Sequence, residues 1–232
     1  MKIAQSIRLL KTGLTFVLLT QSLLSYAIKP VSINKETPEY IIDIKYPQGF
    51  KSATIDAGVK KFIEEIQSGF MGELAQDADT PADAPGKTGI NVTYSIPYNS
   101  GNALSIRYNV SIYHRGAAHP SNNVKVQNFI KDKPVSLSDL FTPGVPYLKT
   151  IADFSSKEIA RRKISDEQWI KNGASPTEDN YKLWTFTNKG IDILFDSYQV
   201  AAYVYGEQTV AIPLSVLSPM LQPEVKKAVW GN

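Results

Sequence analysis

Two stretches of the chain carry apolar residues on one face of a helical repeat. In the first stretch, 55–70, lysines and glutamates lie on the opposite face. Its apolar stripe consists of Ile55, Val59, Phe62, Ile63, Ile66 and Phe70. The second stretch, 147–163, has a stripe made of Leu148, Ile151, Ala152, Phe154 and Ile159. Both patterns predict amphipathic helices that cover a sheet.

Most other apolar stretches alternate, or are rich in β-branched and aromatic residues, as strands are. This character predicts strands at 39–46, 89–98, 103–113 and 124–130, with a hairpin turn at 99–102. In the third of these, Leu104, Ile106, Tyr108, Val110 and Ile112 share one face. Further strands are predicted at 183–187, 190–195, 200–204 and 210–214, the last two as partners, with a polar loop at 171–180 and a helical turn at 216–221.

Together these elements predict an α+β fold, in which two amphipathic helices pack on a largely antiparallel sheet. Residues 76–88 contain Ala, Asp, Pro and Gly but no large apolar residue, which indicates a solvated loop. We expect a small N-terminal lobe of strand, helix and hairpin over 28–115. A C-terminal lobe over 116–232 is expected to pack with it as one unit.

The first 27 residues have the three parts of a secretory signal peptide. Lys2, Arg8 and Lys11 form a basic start, an apolar run follows at 14–24, and small residues at Ser25 and Ala27 suit a signal peptidase. An uncleaved N-terminal anchor is the alternative, although the run is shorter than the ~20 residues that span a bilayer. No other stretch approaches that length. The pattern predicts an exported protein, periplasmic or secreted, without a membrane span after cleavage.

Charge and cysteine content narrow the functional classes. Of the 25 Lys and Arg residues, three lie in the predicted leader, so the remaining 22 balance the 22 Asp and Glu residues. A neutral chain without a basic aromatic cluster argues against nucleic acid as a partner. The chain has no cysteine, which excludes disulfides, a thiolate nucleophile and thiolate metal sites.

The segment 114–120 contains the only two histidines, His114 and His119, together with Arg115, Gly116 and Pro120. It begins where a long predicted strand ends, and its small residues allow a ligand or another chain to approach the backbone. Two imidazoles and a guanidinium could bind an anion or a metal. The alternative, which we favour, is a structural turn. The sequence offers no carboxylate at helical spacing to complete a metal site, and we expect no metal and no cofactor.

Other candidate residues are acidic or aromatic. Asp192 and Asp196 flank a predicted strand, and with His119 they could serve a hydrolase that uses paired carboxyl groups. No Gly-x-Ser-x-Gly elbow and no phosphate-binding glycine loop is present. Tyr198, Tyr203 and Tyr205 form an aromatic cluster suited to a protein partner or a sugar, and the last two should share one face of a strand.

Several motifs carry a resemblance to a known family. They are the segments 114–120, 137–141, 186–191, 198–201 and 210–217, together with Gly206. In this order they resemble the extracytoplasmic domain of unknown function in RsiV-type anti-sigma factors, which is also similar to the N-terminal part of the peptidoglycan deacetylase PdaC. The strand at 40–47 and the following helix resemble the smaller domain that precedes this domain of unknown function in those proteins.

The resemblance implies an extracytoplasmic binding module, since the region recognises lysozyme in RsiV-type proteins and accompanies a separate catalytic domain in PdaC. This chain shows neither a sigma-binding segment nor that catalytic domain, so signalling across a membrane is not expected. We therefore predict a non-catalytic module that binds a lysozyme-like wall hydrolase or a peptidoglycan glycan through 114–120 and the nearby tyrosines. The alternative is a small cell-wall or polysaccharide hydrolase.

Overall fold

The structure is a computed structural model that describes residues 27–74, 81 and 83–231. The predicted signal peptide lies outside the described residues except for Ala27. Nine strands and five helices make up the described part, with short 3₁₀ turns between them. The strands are β1 Lys29–Glu36, β2 Tyr40–Gln48, β3 Thr88–Asn99, β4 Ala103–Tyr113, β5 Ser121–Ile130, β6 Lys133–Pro134, β7 Trp184–Thr187, β8 Gly190–Phe195 and β9 Gln208–Pro213. The helices are α1 Ala53–Leu74, α2 Tyr147–Arg162, α3 Glu167–Gly173, α4 Leu214–Leu217 and α5 Pro223–Trp230.

The strands form two sheets. The larger one has the order β1-β2-β3-β4-β5-β6, and the smaller one has the order β7-β8-β9. Every pair is antiparallel except β2 and β3, which are joined through α1. A parallel pair requires such a long crossover, and α1 supplies it. The predicted α+β class with a largely antiparallel sheet is confirmed.

The predicted apolar stripe of α1 explains how this helix packs. Its residues Ile55, Val59, Ile63 and Phe70 are buried against the inner face of the large sheet. That face includes Ile106 and Tyr108 of β4, at the alternating positions that the sequence predicts. The opposite face of the large sheet is polar at one end, because residues between the buried ones point away from α1.

A second core lies between the other end of the large sheet, the small sheet and α2. It includes Tyr98, Trp184, Phe186, Ile191 and Ile193. A buried polar bridge joins the two sheets, since the backbone N–H of Phe186 donates to Ser105 Oγ at 2.8 Å. Residues 115 and 116, where we place a lobe boundary, fall between β4 and β5, which pair in the same sheet. The division into lobes stays a prediction.

Some local predictions are wrong. Residues 200–204 form no strand, because β8 pairs with β9 instead and Tyr203–Tyr205 form a 3₁₀ turn. The segment predicted as the loop 171–180 contains the end of α3 and the first two residues of the 3₁₀ turn Asp179–Tyr181. The strand β1 and the helix α5 were not predicted. None of the helices in the described part of the chain combines the length and apolar character needed to cross a bilayer.

Candidate functional site

Three aromatic side chains from two distant parts of the chain stack in a row at the surface. The ring of His119 lies 5.0 Å from that of Tyr203, with 22° between the planes. Tyr203 in turn lies 5.3 Å from Tyr198, at 28°. Both spacings fall within the range of favourable stacked pairs. The fold thus unites the predicted histidine loop with the predicted tyrosine cluster.

The 3₁₀ turn Tyr203–Tyr205 presents further apolar surface beside this stack. Val204 is 84% exposed, Tyr198 58% and Tyr205 48%. The sequence predicted that Tyr203 and Tyr205 share one face of a strand, and this prediction is wrong. Hydrogen bonds from the Tyr205 N–H to the Ala202 carbonyl and from the Gly206 N–H to the Tyr203 carbonyl close a turn instead. Exposed aromatic residues in one place are typical of a binding surface.

The loop 114–120 is a structured turn. Gly116 has a φ of 83°, and its N–H donates to the carbonyl of Pro85 at 2.9 Å. His119 Nδ1 lies 3.0 Å from the carbonyl oxygen of Pro120. These contacts fix the direction in which the His119 ring leaves the backbone.

The helix α3 positions the other end of the stack. The indole N–H of Trp169 donates to the carbonyl of Tyr198 at 2.9 Å. The side-chain amide of Gln199 donates to the carbonyls of Gly173 and Asn180, both at 3.0 Å. Tyr198 itself has a φ of 70°, a left-handed conformation that costs a non-glycine residue energy. The surrounding hydrogen bonds hold it there.

A groove of about 540 Å³ lies between the tyrosine turn and the polar end of the large sheet. Its sheet wall carries amide and hydroxyl side chains from three neighbouring strands, and its other wall carries Tyr203, Tyr205 and the carboxylates of Asp196 and Glu207. The sheet wall consists of Asn91, Thr93, Asn109, Ser111, Asn122 and Asn123, with Val110 and Val124 between them. We call this feature the amide groove.

The charged residues of the amide groove differ in their partners. Glu207 accepts a hydrogen bond from the guanidinium of Arg107 at 2.7 Å. Burial raises the pKa of Glu207 above its usual value, while Arg107 opposes that shift. Asp196 accepts a hydrogen bond from the backbone N–H of Val124 at 3.1 Å, which ties β5 to the end of β8.

The other predicted site residues lie elsewhere. His114 Nε2 is 3.5 Å from a carboxylate oxygen of Glu73 in α1, and the N–H of Arg115 donates to Thr88 Oγ1. Asp192 lies on β8, and Asp196 follows the end of that strand, four residues further along the chain. Asp192 is absent from the lining of the amide groove. Burial raises its pKa. Within the described ranges, no three His, Asp or Glu side chains come together in a way that could hold a metal ion.

Sequence reasoning missed the amide wall and Glu207. The signal was present in part, because residues 91, 93, 109 and 111 alternate with the buried residues of β3 and β4. This alternation predicts an exposed polar face on the sheet, but it does not predict which part of the chain lies opposite that face. That the face meets the tyrosine turn depends on how the small sheet packs.

Comparison with known proteins places two families on the chain. Residues 138–215 match the family described as "Protein of unknown function (DUF3298)", and residues 33–122 match the family "Deacetylase PdaC". The chain is 29% identical over 185 residues to the peptidoglycan-N-acetylmuramic acid deacetylase PdaC of Bacillus subtilis strain 168. This alignment covers 78% of the chain but only 39% of that deacetylase.

Two segments of the chain are therefore similar to the domain of unknown function and to the PdaC family. Two crystal structures of DUF3298 proteins share the fold of this chain. The one from Bacteroides fragilis NCTC 9343 has a TM-score of 0.63 at 16% identity and covers 90% of this chain and 98% of its own. The one from Pseudomonas aeruginosa PAO1 has a TM-score of 0.60 at 13% identity and covers 86% and 96%. The likeness to RsiV-type anti-sigma factors stays a prediction.

The amide groove lies between the two matched segments. Asn91, Asn109 and the histidine loop belong to the PdaC-like segment, whereas Asp196 and the tyrosine turn belong to the DUF3298 segment. The groove exists only when both segments fold together.

Proposed function

We propose that this chain is an exported, non-catalytic module that binds a cell-wall glycan in the amide groove. The observation that supports the proposal is the pairing of an amide-rich sheet wall with tyrosine rings across one groove. Sugars offer hydroxyl groups that hydrogen-bond to amides and apolar ring faces that pack on aromatic rings. The name of the relative PdaC, a peptidoglycan deacetylase, supports the same substrate class.

Several groove side chains are available to a ligand. Asn122 projects from β5 and is exposed, and no hydrogen bond to another described residue occupies its side-chain amide. Tyr205 is about half exposed on the opposite wall of the groove. Because the amides stand on a paired sheet, their positions are set before the ligand arrives, which reduces the entropy cost of binding.

Sedimentation with purified peptidoglycan sacculi and calorimetry with soluble N-acetylglucosamine oligomers test the proposal. We expect the wild type to bind both, and Tyr205→Ala or Asn122→Ala to bind about tenfold more weakly, a loss of about 1.4 kcal/mol. Asn34→Ala is the matched control, since Asn34 is exposed on β1 outside the groove. A wild type that binds neither material at high micromolar concentration overturns the proposal.

A lysozyme-like wall hydrolase is the second candidate partner. The observation that favours it is the exposed surface of Tyr198, Val204 and Tyr205, since exposed aromatic residues are enriched at the centres of protein interfaces. Calorimetry with lysozyme separates the two candidates. Val204→Asp should abolish binding to such a protein through the charge it places in the contact. Binding to lysozyme without binding to any glycan would replace the first proposal by this one.

A further inference from the structure

The lining of the amide groove is negatively charged. It contains two carboxylates, Asp196 and Glu207, and no Lys, Arg or His among its described residues. Arg107 lies against Glu207 and compensates its charge. The charge of Asp196 has no such compensation, because neither an ion pair nor a cationic hydrogen-bond donor reaches it within the described part of the chain.

The structure holds the Asp196 carboxylate in a fixed place. One carboxylate oxygen accepts the Val124 N–H at 3.1 Å. The backbone N–H of Asp196 donates to Gln199 Oε1 at 3.1 Å, and its carbonyl accepts the N–H of Gln199 at 2.9 Å. The second carboxylate oxygen accepts no hydrogen bond from a described residue. A rigid anion with an unused acceptor favours a cationic ligand group, since no side chain has to reorganise on binding.

The Tyr205 ring on the same wall adds to this preference. The face of an aromatic ring is negative and attracts a cation placed above it. Tyr205 lines the groove together with Asp196, whereas the Tyr203 ring is stacked between His119 and Tyr198. A ligand with an added negative charge would meet repulsion from the same groups, whereas an ammonium group would be attracted by all of them.

We infer that the amide groove selects glycans with free amino groups, that is N-deacetylated amino-sugar chains, over their N-acetylated forms. Asp196 is the specificity-determining residue. Its second carboxylate oxygen accepts a hydrogen bond from the ammonium group of the sugar. This inference rests on the proposed function, because it assumes that a glycan occupies the groove.

Calorimetry with soluble β-1,4-linked glucosamine oligomers and N-acetylglucosamine oligomers of equal length tests the inference. At about pH 6 the sugar amine is protonated, so the glucosamine oligomer is cationic while the N-acetylated oligomer is neutral. We expect the wild type to bind the glucosamine oligomer about fivefold more tightly, which is the size of an exposed cation–π or ion-pair contribution. Added salt should reduce the difference, because it screens the charges.

Asp196→Asn should remove the preference, so that the glucosamine and N-acetylglucosamine oligomers bind the variant with about equal affinity. The asparagine keeps a side-chain oxygen that can accept the Val124 N–H, and a circular dichroism spectrum checks the fold. Asp153→Asn is the matched control, since this aspartate is exposed on α2 and pairs with Lys149 outside the groove.

Each result of this comparison is decisive. Equal or tighter binding of the N-acetylated oligomer overturns the inference but leaves the proposed glycan function standing. A preference for glucosamine that persists in Asp196→Asn overturns the role of Asp196. A wild type that binds neither oligomer overturns the inference, and one that also fails to bind purified sacculi overturns the proposed function itself.

Discussion

At the scale of single residues, Asp192 is a carboxylate in an unfavourable place. It lies on β8, the middle strand of the small sheet, between the fully buried Ile191 and Ile193. No hydrogen bond or ion pair joins its side chain to another described residue, and burial alone raises its pKa. The catalytic role considered for Asp192 from the sequence stays a prediction.

We expect Asp192→Asn to stabilise the protein at neutral pH by less than about 1 kcal/mol. The folded-state pKa of Asp192 lies above its unfolded value, so the folded state binds the proton more tightly and loses stability as the pH rises through that pKa. An asparagine at this position has no charge to bury, so it does not lower the stability as the pH rises. Urea unfolding at neutral pH and at a pH below the ordinary value of 3.8 measures the effect.

The advantage of the asparagine should shrink at the acidic pH, where the wild-type carboxyl group is protonated in both states. Asp179→Asn is the control, because that aspartate is exposed and paired with Lys182. A variant that is less stable than the wild type at neutral pH would contradict the prediction.

At the scale of elements, the short helix α3 controls the tyrosine end of the candidate site. Its N-terminus is capped by Asp166, whose side chain accepts the N–H of Trp169. Its C-terminal Gly173 packs so closely on the next segment that an added Cβ would lie 1.8 Å from the carbonyl oxygen of Gln199. The close contact places Tyr198, the residue before Gln199, at the end of the aromatic stack.

We expect Gly173→Ala to destabilise the protein by about 2 kcal/mol or more, because backbone rather than a flexible side chain meets the new methyl group. It should also displace Tyr198 and weaken glycan binding. Urea unfolding measures the loss of stability, and calorimetry with N-acetylglucosamine oligomers measures the loss of binding that the displacement of Tyr198 causes. Gly72→Ala in α1 is the control, since nothing lies within 4 Å of its added Cβ. That variant should be neutral or stabilised by up to about 1 kcal/mol. Equal stability of both variants would contradict the packing argument.

At the scale of the whole molecule, a buried polar bridge couples the two sheets. Ser105 Oγ on β4 accepts the Phe186 N–H of β7 and donates to Asn128 Oδ1 of β5 at 2.6 Å. The side-chain amide of Asn128 then donates to the carbonyl of Trp184 at 2.8 Å. All these bonds are buried, where an unpaired group is costly. The bridge holds the small sheet, and with it the tyrosine turn, above the amide wall.

We expect Ser105→Ala to lower the free energy of unfolding by about 1–3 kcal/mol, because it leaves the Phe186 N–H without an acceptor. The wild type and the variant should each unfold in one transition, with coincident far-ultraviolet circular dichroism and tryptophan fluorescence. Ser32→Ala, at an exposed position of β1, should change little. Separate transitions for the two signals would show that the sheets unfold independently.

The sequence alone determined the elements whose pattern is local. The stripe of α1 and the alternation of β4 each follow from contacts within a few residues, and both were predicted correctly. The failures lie where local patterns fit two structures. Residues 200–204 are as apolar as a strand, yet the edge of β8 pairs with β9, and Val200 is buried in the core that α2 and the small sheet share.

Only the tertiary structure decided the candidate site. His119 and Tyr203 are 84 positions apart along the chain and meet because the small sheet packs on one end of the large one. The sequence named both residues as candidates, but their stacking, the amide wall opposite the tyrosine turn and the place of the Asp196 carboxylate in the groove all depend on long-range packing. Hydrophobic periodicity specifies which face of an element is buried, whereas the partner of its polar face is chosen by the fold as a whole.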